Sequence, residues 1–302
     1  MGVVVLGSLN LDVVCRVESL PAPGETVAGL GVRHFPGGKG LNQAIAAARW
    51  DAPTAMIGAV GDDAAGETLL AALTETGADG SAVIVNEAAQ TGQAFIFVSA
   101  AGENVIVVAG GANLVLTPPP RFDLDGFTVA LAQLETPVAA TRALFEAVAA
   151  AGGLTLLNAA PAIEAGATLF PLADIIIVNE TELARYAKVA ASPERIEDIA
   201  ALGRSLICRP AQRVVVTLGA AGALSVAADG IIQVPGRAAK VVDTTGAGDC
   251  FCGVLAAALS GGADLAEAMA QANAAAALST EVHGAAVSMP GRAQVTALAG
   301  GS

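Results

Sequence analysis

The chain has 302 residues, 54% of them hydrophobic and only 14% charged, with 28 acidic against 15 basic residues and a formal net charge of −13. That apolar balance excludes a disordered chain, and the negative charge without basic patches argues against non-specific nucleic-acid binding. Four cysteines (Cys15, Cys208, Cys250, Cys252) without a Cys-x-x-Cys spacing, and two distant histidines (His34, His283), argue against a structural zinc site. They fit reduced thiols in the cytoplasm.

No apolar run approaches the ~18 residues of a membrane-spanning helix, so no membrane partner is expected. Residues 1–7 carry no basic stretch or cleavage signature and read as a buried first strand rather than a signal peptide. That strand is expected over 3–9. Residues 12–35 then read as strand, turn, strand, with the turn at 20–24. A helix over 41–50, a strand over 54–60 and a helix over 64–76 follow. Residues 91–109 read as a hairpin turning at 100–103. Further strands are expected over 128–134, 154–158, 174–178 and 213–218, with helices over 137–151 and 193–208 between them. The C-terminal part is chiefly helical, over 249–259, 264–279 and 290–298. Continuous apolar strand runs alternating with helices predict an α/β fold with a mostly parallel sheet covered on both faces. The two helix-free stretches, 12–35 and 91–109, are expected to pair as one small sheet, because an isolated hairpin is marginal in water. No linker, repeat or charge block divides the chain, so residues 1–302 are expected to form a single domain.

Four polar motifs interrupt this pattern. In Gly7-Ser-Leu-Asn-Leu-Asp12, Asn10 and Asp12 alternate across Leu11, and an extended chain points both the same way. An amide and a carboxylate together suit sugar hydroxyls, although both residue types also start turns. Phe35-Pro-Gly-Gly-Lys-Gly-Leu-Asn42 leads into a helix. Gly38 and its neighbours expose backbone donors, Lys39 adds a point charge, and Asn42 both donates and accepts. Asn179-Glu-Thr-Glu182 follows a strand and reads equally as a capping box or as a magnesium-binding pair acting mostly through water. Thr217-Leu-Gly219 ends another strand and also reads as a simple turn.

The fourth motif, Asp243-Thr-Thr-Gly-Ala-Gly-Asp249, is the most informative. A strand gives way to two threonines, two glycines and an apolar helix. Free N–H groups at Gly246, Ala247 and Gly248 would favour an anion. A carboxylate beside an anion hole repels a merely bound phosphate, but suits a base that takes the proton of a hydroxyl attacking phosphorus. Asp249 as a simple cap is the plainer alternative, though capping usually places the acid before the helix. The spacing matches neither Gly-x-Gly-x-x-Gly nor Gly-x-x-x-x-Gly-Lys-Ser/Thr, which excludes a Rossmann fingerprint and a P-loop.

Together, Asn10-x-Asp12, Gly37-Gly-Lys-Gly-x-Asn42, Asn179-x-x-Glu182 and Asp243-Thr-Thr-Gly-Ala-Gly-Asp249 resemble, in order and over nearly the whole chain, the ribokinase family of carbohydrate kinases. The resemblance implies a central sheet flanked by helices with a small β lid. It also implies transfer of the γ-phosphoryl group of ATP, with Mg²⁺, to O5 of D-ribose. Asn10, Asp12, Gly38, Lys39, Asn42 and Glu135 are the implied sugar set. Asn179 and Glu182 are the implied phosphate–magnesium region, and Thr217, Gly219 and Asn273 the implied nucleotide contacts. Gly246, Ala247 and Gly248 are the implied anion hole, with Asp249 as base. An activating K⁺ is implied at Asp243, Thr245 and the loop from Ser279 to Ser288, through carbonyls at Ser279, Val282 and Gly284. Val282 replaces a more usual basic residue there, and Cys250 stands where relatives often carry Thr. A homodimer through the lid strands is expected, because unpaired edges invite pairing. A kinase for another ketose, a deoxy sugar, a sugar acid or a nucleoside is the alternative, and a non-catalytic sugar or nucleotide sensor is the alternative of another class.

Overall fold

A computed structural model describes residues 1–117 and 123–299. In chain order its main elements are β1 (Gly2–Leu6), β2 (Asn10–Val17), β3 (Gly29–Gly37), α1 (Lys39–Arg49), β4 (Thr54–Gly61), α2 (Ala64–Thr74) and β5 (Asp79–Asn86). They continue with β6 (Gly92–Val98), β7 (Asn104–Ala109), β8 (Phe127–Ala132), α3 (Val138–Ala150), β9 (Leu154–Asn158), β10 (Ile175–Asn179), α4 (Glu180–Tyr186) and α5 (Ile196–Ser205). The last are β11 (Arg213–Thr217), β12 (Gly222–Val226), β13 (Ile231–Pro235), α6 (Ala247–Ser260), α7 (Leu265–Ser279) and α8 (Arg292–Ala299).

Nine strands form one sheet in the order β13-β12-β11-β10-β9-β8-β1-β4-β5. Every neighbouring pair from β11 to β5 is parallel, and β12 runs antiparallel to both of its neighbours. The apolar runs that predicted these strands work because successive side chains enter opposite faces, and both faces are covered. Val3 and Val5 pack into one core with α1, α6 and α7, through Leu41, Phe251, Val254 and Met269. Val4 and Leu6 enter the other, with α3 and α5, through Leu144, Phe145 and Ile199. Each such fully buried aliphatic or Phe side chain contributes about 1.5–3 kcal/mol relative to exposure.

The helix-free stretches form the second sheet, in the order β3-β2-β6-β7. β2 pairs antiparallel with β3 and parallel with β6, so the two hairpins support one another. Asn10 faces Gly37 across the first pair and Gly92 across the second. The first strand is shorter than the expected 3–9, because residues 7–9 cross between the sheets and Asn10 opens β2. β5, β12, β13 and α4 add to the expected elements; β5 is a partly exposed edge strand, and α4 is a seven-residue helix held by its cap.

Candidate active site

The polar motifs converge at the carboxyl ends of the central strands, where open α/β sheets bind ligands. β10 ends at Asn179, β11 at Thr217 and β9 at Asn158. Lys39, Asn179, Glu182, Thr217, Gly248 and Asp249 line a common cleft of about 130 Å³.

α6 starts at Ala247 after Gly246, which has a φ of 79°. That conformation favours glycine, and a Cβ there would also come within 2.8 Å of the Ala285 Cβ. The Ala247 N–H donates to the Thr244 carbonyl at 3.2 Å, whereas those of Gly248 and Asp249 make no hydrogen bond among the described residues. The Gly246 N–H is likewise without a hydrogen bond among the described residues, so donors at Gly246, Gly248 and Asp249 are available around the engaged Ala247. Asp249 is 7% exposed. Asn42 Nδ2 donates to its Oδ2 at 3.0 Å, and Gln43 Nε2 to its Oδ1 at 2.9 Å. Two consecutive residues of α1 therefore hold both oxygens of one carboxylate.

Gly38 is the N-cap of α1, and Lys39 is its first residue. The Lys39 N–H donates to Glu135 Oε2 at 3.3 Å, and the Ser8 hydroxyl donates to the same oxygen at 2.5 Å. Asp249 raises the Lys39 pKa above its ordinary value against the opposing effect of burial, helped by Glu135 and Glu182. The ammonium therefore stays charged among three carboxylates. Asn10 is buried, and its Oδ1 accepts from Asn113 Nδ2 at 2.8 Å. Asp12 is pushed up to about 7 by burial, then by the charges of Glu135 and Asp249. Of the six residues implied for the sugar, Lys39 lines the cleft, Lys39 and Glu135 are hydrogen-bonded, Asn42 holds Asp249, and Asp12 feels the charges of Glu135 and Asp249.

Asn179 and Glu182 form the capping box: the Glu182 N–H donates to Asn179 Oδ1 at 2.8 Å, and the Asn179 N–H to Glu182 Oε2 at 2.9 Å. Oε1 of Glu182 makes no hydrogen bond among the described residues, and burial raises the pKa of the group. A cap and a cleft-lining acid are thus the same residue. Thr217 Oγ1 approaches the Val178 carbonyl at 3.5 Å, and Gly219 lies just beyond β11. Asn273 sits apart from the cleft, buried on α7, with Nδ2 3.4 and 3.5 Å from the carbonyls of Val234 and Pro235.

Asp243 joins its loop to the segment after α7. Its Oδ1 accepts from the Thr245 N–H and its Oδ2 from the Gly284 N–H, both at 2.9 Å. Burial pulls its pKa upward, but the Gly284 and Thr245 hydrogen bonds outweigh burial and the net shift is downward. The N–H groups of Val242 and Asp243 both donate to the Thr280 carbonyl. The Ser279 carbonyl accepts only a 3.4 Å bond from Val282 N–H, and the Ser288 hydroxyl turns back to the Ala285 carbonyl at 2.8 Å. Carboxylate and main-chain carbonyl oxygens are hard donors, which suit an alkali cation and not a thiophilic metal. Among the described residues, no group of three or more His, Cys, Asp or Glu side chains is placed to hold a metal ion.

Several residues of the site carry no sequence signature of their own. Gln43, Gln133, Asn158, Ser8 and Asn113 all enter the hydrogen-bond network. Two of them carry a hint of position, Ser8 inside the Gly7–Asp12 motif and Gln43 beside Asn42.

Residues 2–292 match the model of the pfkB family of carbohydrate kinases, and the chain belongs to that family. It is 37% identical over 295 residues to ribokinase of Staphylococcus aureus, covering 95% of this chain and 96% of that protein. It is 32% identical over 261 residues to deoxyribokinase of Salmonella typhi, with 85% of each covered. The solved structure of Arabidopsis thaliana ribokinase complexed with ribose and ATP matches with a TM-score of 0.91 at 33% identity, covering 100% of this chain and 99% of that one.

Proposed function

We propose that this protein is an ATP-dependent ribose kinase that transfers the γ-phosphoryl group of ATP to O5 of D-ribose, with Asp249 as the base. The observation that carries this reading is the clamped, buried Asp249 carboxylate at the start of α6, next to the free N–H groups of Gly248 and Asp249. A carboxylate so held accepts a proton without moving, while the helix start faces the charge on the transferred group. In this reading Asn10, Asp12, Gly38, Lys39, Asn42 and Glu135 bind and orient the sugar. The charged Lys39 offsets the three carboxylates that a neutral sugar leaves uncompensated. Asn179, Glu182, Thr217 and Gly219 flank the phosphates and nucleotide, and Asn273, held at the end of β13, is a further nucleotide contact.

Mg²⁺, when bound, neutralises charge on the phosphate oxygens, and Glu182 Oε1 is the acid free to hold its water shell. K⁺ fits at Asp243 with the carbonyls of Thr245, Ser279, Val282 and Gly284, next to the loop that sets Gly246. Ser288 lies at the end of that segment. The small sheet, β2-β3 with β6-β7, acts as a lid over the sugar within a single domain. Its exposed apolar residues, among them Leu30 (67%), Val32 (55%) and Val107 (56%), support a homodimer through these strands. No helix among the described residues is long and apolar enough to cross a membrane, and the four free cysteines are in keeping with a reducing compartment.

A deoxy sugar is the second reading, favoured by the likeness to a deoxyribokinase. ADP release measured over ribose, 2-deoxyribose, ketoses, sugar acids and nucleosides, with Asp249→Asn as control, separates the readings. Ribose turnover lost in Asp249→Asn is the expected result. Turnover only on another acceptor transfers the assignment to that acceptor. Binding without any turnover makes the protein a sensor.

A further inference from the structure

Gln43 and Gln133 are both fully buried, at 0% exposure, which is a costly place for two primary amides. Neither is in the cleft lining. Gln43 Nε2 spends both of its hydrogens, on Asp249 Oδ1 at 2.9 Å and on Asn158 Oδ1 at 3.1 Å. Its Oε1 accepts from Gln133 Nε2 at 2.5 Å. Gln133 Oε1 makes no hydrogen bond, although it is buried. It lies against Gly7, where a Cβ would come within 1.9 Å of it.

The order of donors and acceptors gives this chain a direction. Turning the Gln43 amide over would aim its oxygen at the Asp249 carboxylate and its NH₂ at the Gln133 NH₂. Turning the Gln133 amide over would set two amide oxygens against each other. One arrangement alone pairs every contact, and it leaves the unsatisfied atom at the far end, beside Gly7, rather than at Asp249. We infer that Gln43 is a positioning residue for the base, and that Gln133 fixes the direction in which Gln43 points. This rests on the reading of Asp249 as the base. Anchoring Oδ1 stops the carboxylate from turning. Oδ2, which Asn42 shares, is then the oxygen that receives the proton of the attacking hydroxyl. Gln133 lies behind Gln43 and acts on Asp249 only through that orientation.

The test uses the full chain with Gln43→Met and Gln133→Met, each similar in length and lacking the polar atoms. Initial rates are measured at saturating ATP over sugar concentration, between about pH 5.5 and 8.5. Gln43→Met is expected to lower kcat about 10–100-fold with the sugar KM changed less than about 3-fold. The acidic limb of kcat should move up by about 0.5–1 pH unit, because a lost donor weakens the ionised form. Gln133→Met should move the same limb in the same direction with a smaller fall in kcat. An unmoved limb in a folded Gln43→Met protein, or a loss confined to KM, overturns the inference. If Gln43→Met does not melt cooperatively, Gln133→Met decides alone by its limb. A wild type that turns over no sugar sinks the kinase reading and the inference with it. An active wild type, an inactive Asp249→Asn and an unaffected Gln43→Met sink the inference only.

Discussion

Arg49 Nη1 donates to the Met289 carbonyl at 2.5 Å, and also reaches the carbonyls of Val287 and Ala286 at 3.2 and 3.3 Å. One cation at the end of α1 thus holds the end of the proposed K⁺ loop together with Met289, which packs on Gly246 beside Ala285. It is also well placed for the helix dipole. Arg49→Met should cost about 1–3 kcal/mol by leaving carbonyls poorly paired. Thermal melting should fall by several degrees, at about 2–4 °C per kcal/mol. The KCl concentration for half-maximal activation should rise at the same time. An unchanged melt and KCl response would show that the rest of the loop suffices.

Asp12 gives the protein a pH dependence. Its folded pKa, about 7, lies above the usual carboxylate value, so the folded state holds this proton more tightly than the unfolded chain. Its contribution to stability is therefore fully present at low pH and is lost as pH rises through the carboxylate range toward 7. Asp12→Asn should remove that loss, melting at least about 2 °C above wild type at pH 8 and level with it near pH 4. Sugar binding has the opposite slope, because hydroxyls donate to the ionised form. The wild-type sugar KM should rise as pH falls below about 7, by up to about tenfold per pH unit. In Asp12→Asn it should be high and flat. A wild-type KM that ignores pH would remove Asp12 from the sugar set.

Glu182 can be divided into its two duties by substitution. Glu182→Gln keeps an oxygen for the Asn179 N–H, so the capping box and the melting temperature should survive. The charge that holds the Mg²⁺ water shell is gone, and the Mg²⁺ concentration for half-maximal rate should rise about tenfold. Glu182→Ala should lose the cap as well, at about 0.5–2 kcal/mol. If Glu182→Gln titrates with Mg²⁺ as wild type does, the residue is only a cap.

The dimer is tested on β7, whose residues are all exposed. Ile106 and Val107 are 52% and 56% exposed and point to opposite faces of the small sheet. Ile106→Asp and Val107→Asp, compared by light scattering, should differ, with one of them halving the mass. A wild type that is monomeric at assay concentration excludes the dimer.

Most of the large sheet was legible because a strand covered on both faces must be continuously apolar, as in Val3 to Leu6 or Ile175 to Val178. β5 was not, because an edge strand mixes buried and exposed residues. β12 was not, because Gly222, Ala223 and Ser225 interrupt its apolar run, and β13 was not, because it is the other edge strand and mixes buried with exposed residues. The Asp249 loop declared itself through its glycines and threonines; Gly246 is required by its backbone conformation and its packing on Ala285, whereas Gly248 has open space where a Cβ would stand. Gln43, Gln133 and Asn158 could not. A buried amide looks like any surface amide until the sheet order brings β8 and β9 beside α1, residues separated by 90 to 115 positions in the chain.

The small sheet hangs from the body by β2 and β3, and the rung nearest the body is the Asn10–Gly37 pair. Asn10, Asp12, Gly38 and Lys39 all lie within two residues of that rung. The proposed lid therefore has its pivot among the residues proposed to bind sugar, so tilting the sheet and reshaping that site would be one movement. Closure and affinity then form a single equilibrium, and anything that grips the far edge of the sheet tunes how tightly the sugar is held.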